Sequence, residues 1–251
     1  MSKRVLVTGG AKGIGAAIVR ALAGDGFDVT FTYNSSADQA AALIEALRDE
    51  APGAAVAARA LDLGDAAAVD AFADAVAADE DGFYGFVHNA GRPYDSLAAM
   101  VDRTAAAPTM EINFWSMTRL VRGLIRGMTA ARAGRVVLIG SLVARRASQG
   151  NAIYAASKAA LAAYCATLAV EVARRGVTAN VVAPGYVDTD MMRRYDDLRD
   201  RLAAQIPARR YAAPEEVAAA VSFLMSARAG YVTGTTLSVD GGLGANLGIA
   251  R

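Results

Sequence analysis

Short apolar runs alternate with longer alanine-rich stretches from one end of the chain to the other. Residues Arg4–Thr8, Asp28–Tyr33, Ala54–Leu61, Phe83–His88, Arg135–Gly140, Thr178–Ala183 and Thr236–Val239 form runs of strand length. Between them, the spacing predicts helices near residues 13–24, 37–50, 65–79, 109–131, 152–175 and 214–227. Strands that alternate with helices imply a parallel sheet covered on both faces, because each crossover returns the chain to the same edge. No low-complexity linker, charge block or fixed-period repeat divides the chain, so a single α/β domain spanning 1–251 is expected. The stretch 188–213 fits the alternation least. It carries Arg193, Arg194, Arg199, Arg201, Arg209 and Arg210, and suits a mobile surface segment over a site.

Composition narrows the class. A chain of 251 residues, 54% of them hydrophobic, can bury a core without a metal or disulfide staple, and no metal site is expected. Lys and Arg total 26 against 25 Asp and Glu, a net charge of +1 with no basic cluster, which argues against nucleic acid as the main partner. The mean hydropathy of +0.26 comes from 59 alanines, and the uncharged runs, such as Ala159–Val170, stay far short of a span of roughly 20 residues. Val5–Val7 is too short for a signal segment, and a single Cys165 forms no internal disulfide. A cytoplasmic protein is expected. Arginine outnumbers lysine 23 to 3, so Lys3, Lys12 and Lys158 stand out.

Two of those lysines fall in motifs. Directly after the first predicted strand comes Thr8-Gly9-Gly10-Ala11-Lys12-Gly13-Ile14-Gly15, then a helix. Glycines there allow a tight turn and let backbone N–H groups approach a pyrophosphate at the helix N-terminus. No Gly-Lys-Ser/Thr follows, so a dinucleotide fits better than ATP. At the end of the second strand, where an acidic residue would bind a ribose 2′-hydroxyl, stand Tyr33, Asn34, Ser35 and Ser36. No carboxylate repels a 2′-phosphate, and Lys12 can reach one; NADPH is the expected cofactor. Asp62, followed by Leu63, is either an adenine contact or the N-cap of the next helix.

The second motif is catalytic in type. Ser141 closes the fifth strand, at the edge where open α/β sheets bind ligands. Tyr154 and Lys158 follow, four apart at the start of a predicted helix, which puts phenol and ammonium on one face. An ammonium near the phenol is expected to lower its pKa from about 10 and make it a general acid/base, with Ser141 hydrogen-bonding the substrate oxygen. Cys165 and Trp115 are read as packing residues. Met191, Met192 and Tyr195 either line an apolar pocket or pack the 188–213 segment onto the core.

Taken together, Thr8–Gly15, Asn89-Ala90-Gly91, Asn113, Ser141, Tyr154, Lys158, Pro184-Gly185 and Thr189 resemble the short-chain dehydrogenase/reductase family across essentially the whole chain. The resemblance implies a Rossmann-type, doubly wound sheet of seven parallel strands, and usually a tetramer. It implies a tetrad in which Tyr154 donates the proton, Ser141 positions the carbonyl, Lys158 holds the ribose and Asn113 anchors a water. Asn89, Ala90 and Gly91 would border the cofactor, Pro184, Gly185, Val187 and Thr189 would flank the nicotinamide, and 188–213 would be the substrate lid. His88 departs from the pattern, standing where the family usually has the first Asn of Asn-Asn-Ala-Gly; a strand-end structural position is the expected role.

Within the family, Gly134–Val137, Glu171–Ala173, Gly176–Asn180 and Val239–Gly242 are similar to 3-oxoacyl-[acyl-carrier-protein] reductases. The resemblance implies NADPH-dependent reduction of a 3-oxoacyl thioester in fatty-acid or related polyketide/polyene synthesis. Arg132 and Arg175 match positions that dock the acyl carrier protein there, although two solvated arginines would look the same. The alternatives are a reductase of a free sugar, steroid or small ketone, and a catalytically silent NADPH-binding regulator.

Overall fold

The computed structural model describes residues 3–246. Seven strands, β1 (Arg4–Thr8), β2 (Asp28–Tyr33), β3 (Val56–Ala60), β4 (Gly85–His88), β5 (Gly134–Ile139), β6 (Val177–Pro184) and β7 (Thr236–Val239), form one sheet in the order β3-β2-β1-β4-β5-β6-β7. Every pairing is parallel. The chain winds outward from β1 to β3, returns to β4 beside β1 and continues to β7. The direction of winding therefore reverses between β1 and β4, and the crevice outside their carboxyl ends is where such sheets bind ligands.

Helices α1 (Gly13–Gly24), α2 (Ala37–Glu50), α3 (Ala66–Ala77), α4 (Arg103–Met110), α5 (Ser116–Ala131), α6 (Ala152–Val172), α7 (Arg199–Ala203) and α8 (Pro214–Met225) complete the architecture. Strand alternation distributes them. On β1, Val5 and Val7 enter a core with α1, α2 and α8, whereas Leu6 points to a core with α3, α5 and α6. On β5, Val137 and Ile139 join the first core and Val136 and Leu138 the second. Strands buried on both faces read as short apolar runs in the sequence, with no need for a polar face.

The predicted strands and most helices fall within a few residues of the observed ones; the helix expected over 109–131 does not. It begins at Arg103, carries Pro108 within its last turn, and widens into a π turn over Glu111–Trp115 before α5 resumes. Proline supplies no N–H to the helix ladder, so the ladder is already interrupted one turn upstream of the widening. The helix after β3 is capped by Asp65, whose carboxylate accepts from the amides of Ala67 and Ala68 at 3.0 and 3.1 Å. Asp62 is therefore not the cap. Trp115 is also not a packing residue: it is 50% exposed, stacked edge-on against Phe114, whereas Cys165 is buried as expected.

Candidate active site

The β1–α1 loop is shaped by close approach. Gly9 and Gly13 have φ of +65° and +54°, a left-handed conformation that costs glycine nothing. A Cβ on Gly15 would lie 2.0 Å from the Gly9 carbonyl oxygen and 2.6 Å from Asn89 Nδ2, so no other residue fits the first turn of α1 there. Asn89 Nδ2 donates to the Gly9 carbonyl at 2.9 Å, binding the loop after β4 to the loop after β1.

These loops line a cavity of about 540 Å³ at the carboxyl edge of the sheet. Gly9, Lys12, Gly13, Ile14 and Gly15 form one wall, with Tyr33, Asn34 and Ser35 beside them. Asp62 and Leu63 follow, then Asn89, Ala90 and Gly91. Ser141, Tyr154 and Lys158 form the far end, facing Pro184, Gly185, Val187 and Thr189. Met191 and Met192 close that end. A cavity edged by glycines and a helix N-terminus fits a dinucleotide, since backbone N–H groups there can approach a pyrophosphate with no side chain between. Thr8 is the exception among the expected contacts. Its side chain is fully buried beneath the cavity, where it accepts the N–H groups of Asn89 and Ala90 at 3.1 and 3.2 Å. It shapes the turn and does not reach the cleft.

Ser141 lies just past β5, where it caps a short 3₁₀ turn with a 3.4 Å acceptor contact to the Val143 amide. Tyr154 and Lys158 sit one turn apart on α6, as their spacing required. Lys158 is buried and donates to the Ile139 carbonyl at 2.8 Å, with its nitrogen 5.9 Å from the centre of the Tyr154 ring. The expected lowering of the tyrosine does not occur: burial pushes the Tyr154 phenol above its ordinary value, while the Ser141 hydroxyl and Arg194 pull it down less strongly. Desolvation of the phenolate outweighs Ser141 and Arg194, and the Lys158 ammonium is turned toward a backbone carbonyl instead.

Asn113 sits in the π turn, fully buried. Its Oδ1 accepts from the Arg92 amide at 2.7 Å, and its Nδ2 donates to the Arg92 carbonyl at 3.1 Å and to Ser157 Oγ at 2.9 Å. Ser157 in turn donates to the Tyr154 carbonyl at 2.7 Å. Arg92 and Ser157 were not singled out in the sequence, although Ser157 directly precedes Lys158. Across the mouth, Asp95 Oδ2 meets Arg194 Nη1 at 2.7 Å and accepts from the Tyr195 hydroxyl at 3.1 Å. That link joins the segment over the cleft to the loop after β4 and gives Tyr195 a polar role.

A family model described as enoyl-(acyl carrier protein) reductase matches residues 9–244. The chain belongs to the short-chain dehydrogenase/reductase family. Its similarity to the 3-oxoacyl-[acyl-carrier-protein] reductase FabG of Vibrio cholerae is 39% identity over 242 residues, covering 96% of this chain and 97% of that one. The structure of a blue fluorescent protein from a metagenomic library, in complex with NADPH, is 36% identical with a TM-score of 0.88, covering 96% and 97% of the two chains. An actinorhodin polyketide ketoreductase variant with NADPH is 30% identical with a TM-score of 0.90, covering 98% of each. Of the four residues that the resemblance assigns to a tetrad, Ser141, Tyr154 and Lys158 line this cleft, whereas Asn113 is fully buried and reaches Tyr154 only through Ser157.

Arg132 and Arg175 lie elsewhere. Both are exposed on turns that precede β5 and β6, at the amino edge of the sheet, whereas the cleft opens at the carboxyl edge. Arg132 is held in a left-handed conformation, with φ of 53°, and donates to the Arg174 carbonyl at 3.3 Å.

Proposed function

We propose that this protein is a cytoplasmic, NADPH-dependent reductase of 3-oxoacyl thioesters carried on acyl carrier protein. The observation that carries the chemistry is that Ser141, Tyr154 and Lys158 together line the end of a glycine-edged cleft, with Lys158 buried and bonded to the Ile139 carbonyl. The substrate class is supported by the full-length similarity to a 3-oxoacyl-[acyl-carrier-protein] reductase, and the cofactor by relatives held in complex with NADPH.

Gly9–Gly15 and Asn89–Gly91 would hold the dinucleotide, and Lys12 with Tyr33–Ser35 would receive its 2′-phosphate. Bound NADPH supplies a hydride to the ketone carbon. Ser141 orients the carbonyl oxygen and Tyr154 transfers its phenolic proton to that oxygen. A raised phenol pKa suits a proton donor, because Tyr154 stays protonated at neutral pH until the reacting oxygen demands the proton. Lys158 is the cation within reach to hold the ribose hydroxyls, in exchange for the Ile139 carbonyl. Residues 188–213 act as the substrate lid, with Met191 and Met192 against the nicotinamide end.

The chain works as a homotetramer on this reading. The outer face of α6 presents Ala156, Ala159, Ala163, Ala166 and Val170 to solvent, with Val170 80% exposed, and small side chains at that spacing admit a second helix closely. The same helix is long and apolar enough to cross a membrane, with a mean hydropathy of 1.4; its inner face carries Lys158 and Leu161 into the core. Arg132 and Arg175 dock the acidic carrier. Because they stand at the far edge of their own sheet, they serve the cleft of an adjacent subunit.

The test is NADPH consumption with acetoacetyl thioesters of carrier protein and of CoA. Turnover that prefers the carrier form, falls by about 10²–10⁴ in Tyr154→Phe while NADPH still binds, and slows selectively in Arg132→Ala and Arg175→Ala supports the reading. Reduction of free ketones in preference to either thioester rejects it.

A further inference from the structure

His88, the single histidine, is wholly buried at the end of β4. Its Nδ1 lies 3.1 Å from the Thr8 hydroxyl. That hydroxyl already accepts two backbone N–H groups, from Asn89 and Ala90, and a hydroxyl oxygen has two lone pairs. Its own hydrogen therefore goes to Nδ1, which makes Nδ1 an acceptor and leaves the imidazole proton on Nε2. Burial and the neighbouring Lys158 hold the ring neutral, with a pKa of about 3.

Nε2–H has no hydrogen-bond partner of normal geometry among the described residues. The backbone carbonyls of Ile112 and Asn113, in the π turn, lie beside the ring, and that of Ile112 also accepts from Ser116 Oγ at 2.7 Å. A buried donor is rarely left unpaired, and a widened turn is where carbonyls are released from the helix ladder. One unpaired donor and these two carbonyls thus meet under the catalytic cleft, with the Ile112 oxygen retaining a second lone pair beside its bond from Ser116. From Asn113 the connection continues through Ser157 Oγ to the Tyr154 carbonyl. At the other side of the ring, Thr8 ties the same imidazole to the Asn89-Ala90 turn of the cofactor wall.

We propose that His88 is a positioning residue: its Nε2–H holds the Ile112 and Asn113 carbonyls, directly or through one buried water, and so sets the π turn that orients Asn113, Ser157 and Tyr154. The inference rests on the reductase reading for its effect on turnover, and on the geometry alone for its effect on the turn.

Three substitutions separate the two ring nitrogens. Gln places its amide nitrogen near the position of Nε2, Asn places polar atoms near Nδ1, and Leu keeps bulk without either. Steady-state kinetics, NADPH affinity, thermal midpoint and amide hydrogen exchange across 111–117 are measured on the intact enzyme and each variant. His88→Gln is expected to keep kcat within about threefold, whereas His88→Asn and His88→Leu lose about tenfold or more, with KM for NADPH little changed. Exchange across 111–117 should accelerate in Asn and Leu and stay near wild type in Gln. If Leu keeps full kcat, or Asn rescues and Gln does not, the proposal is overturned. If kcat falls only in step with the thermal midpoint in all three, it is likewise overturned, since a purely structural role gives that result. Should Leu fail to fold, the Gln and Asn pair decides alone. A wild-type enzyme inert toward 3-oxoacyl thioesters, with exchange still ranked Asn and Leu above Gln, rejects the reductase reading and supports the hold on the turn.

Discussion

Lys158 donates its ammonium to the carbonyl of Ile139 at 2.8 Å, in a buried position where desolvation disfavours the charge. That burial lowers its pKa to about 8. Below about pH 8 the side chain is mainly cationic, and above it the charge is progressively lost. Affinity for an anionic dinucleotide is therefore fully present below about pH 8 and declines as pH rises through it, by no more than tenfold per unit. Fluorescence titration of NADPH against pH checks this, with Lys158→Met as reference. A wild-type affinity that is flat from pH 7 to about 9.5 would show that Lys158 contributes no charge to binding.

Gly15→Ala addresses the cradle. The added Cβ would fall 2.0 Å from the Gly9 carbonyl oxygen and 2.6 Å from Asn89 Nδ2, and backbone cannot retreat as a flexible side chain does. A loss of about 1–3 kcal/mol in stability is expected, with NADPH affinity reduced at least about tenfold. Denaturant melts and NADPH titration measure both. Unchanged cofactor binding would mean the dinucleotide does not rest on this turn.

Cofactor choice should respond to two positions on one side of the cavity. Lys12 and Tyr33 both line it, and Tyr33 stands at the end of β2. Lys12→Ala is expected to raise KM for NADPH by about tenfold with KM for NADH hardly altered, the weight of one charge-assisted contact. Tyr33→Asp should go further and favour NADH by repelling the 2′-phosphate. Equal losses for both cofactors in Lys12→Ala would remove Lys12 from the phosphate site.

The sheet was legible because strands buried on both faces must be apolar throughout, and because β1, β4, β5 and β6 are separated by stretches of helical length. The tetrad was legible because Tyr154 and Lys158 are one helical turn apart and lysine is scarce in this chain. What could not be read was everything set by distant partners. The π turn depends on an interruption at Pro108 and on contacts of Asn113 with Arg92, 21 residues away. Thr8 is adjacent to the glycine loop in sequence yet lies beneath it, because its strand neighbour His88 takes its hydroxyl. The direction of the Tyr154 shift is hidden from the sequence for a similar reason: one-turn spacing fixes which face Lys158 occupies, not that its ammonium turns to Ile139. Arg132 and Arg175 resemble a docking pair in sequence, but only the topology shows them at the edge remote from their own cleft.

The Asp95–Arg194 pair ties the 188–213 segment to the loop after β4, and its two charges act in opposite directions on Tyr154. Arg194 bonds Asp95 at 2.7 Å, and Tyr195 donates to the same carboxylate at 3.1 Å, so two consecutive lid residues share one anchor. The anchor loop is itself tied to the catalytic helix, since the Ser96 amide donates to the Gly150 carbonyl at 2.8 Å, just ahead of α6. Asp95→Asn removes the ion pair and weakens the tyrosine bond. A partly exposed pair contributes about 0.2–1 kcal/mol, so KM for the acyl substrate should rise only a few-fold while trypsin cuts more readily after Arg193 and Arg194. The charges also act on Tyr154, Asp95 raising its pKa and Arg194 lowering it. Tyr154 must be protonated to donate, so the alkaline decline of kcat follows its pKa. Asp95→Asn should move that decline to lower pH and Arg194→Gln to higher pH. Opposite displacements in the two variants, read from kcat–pH profiles, identify the pair as acting on the acid; identical profiles would confine it to holding the lid.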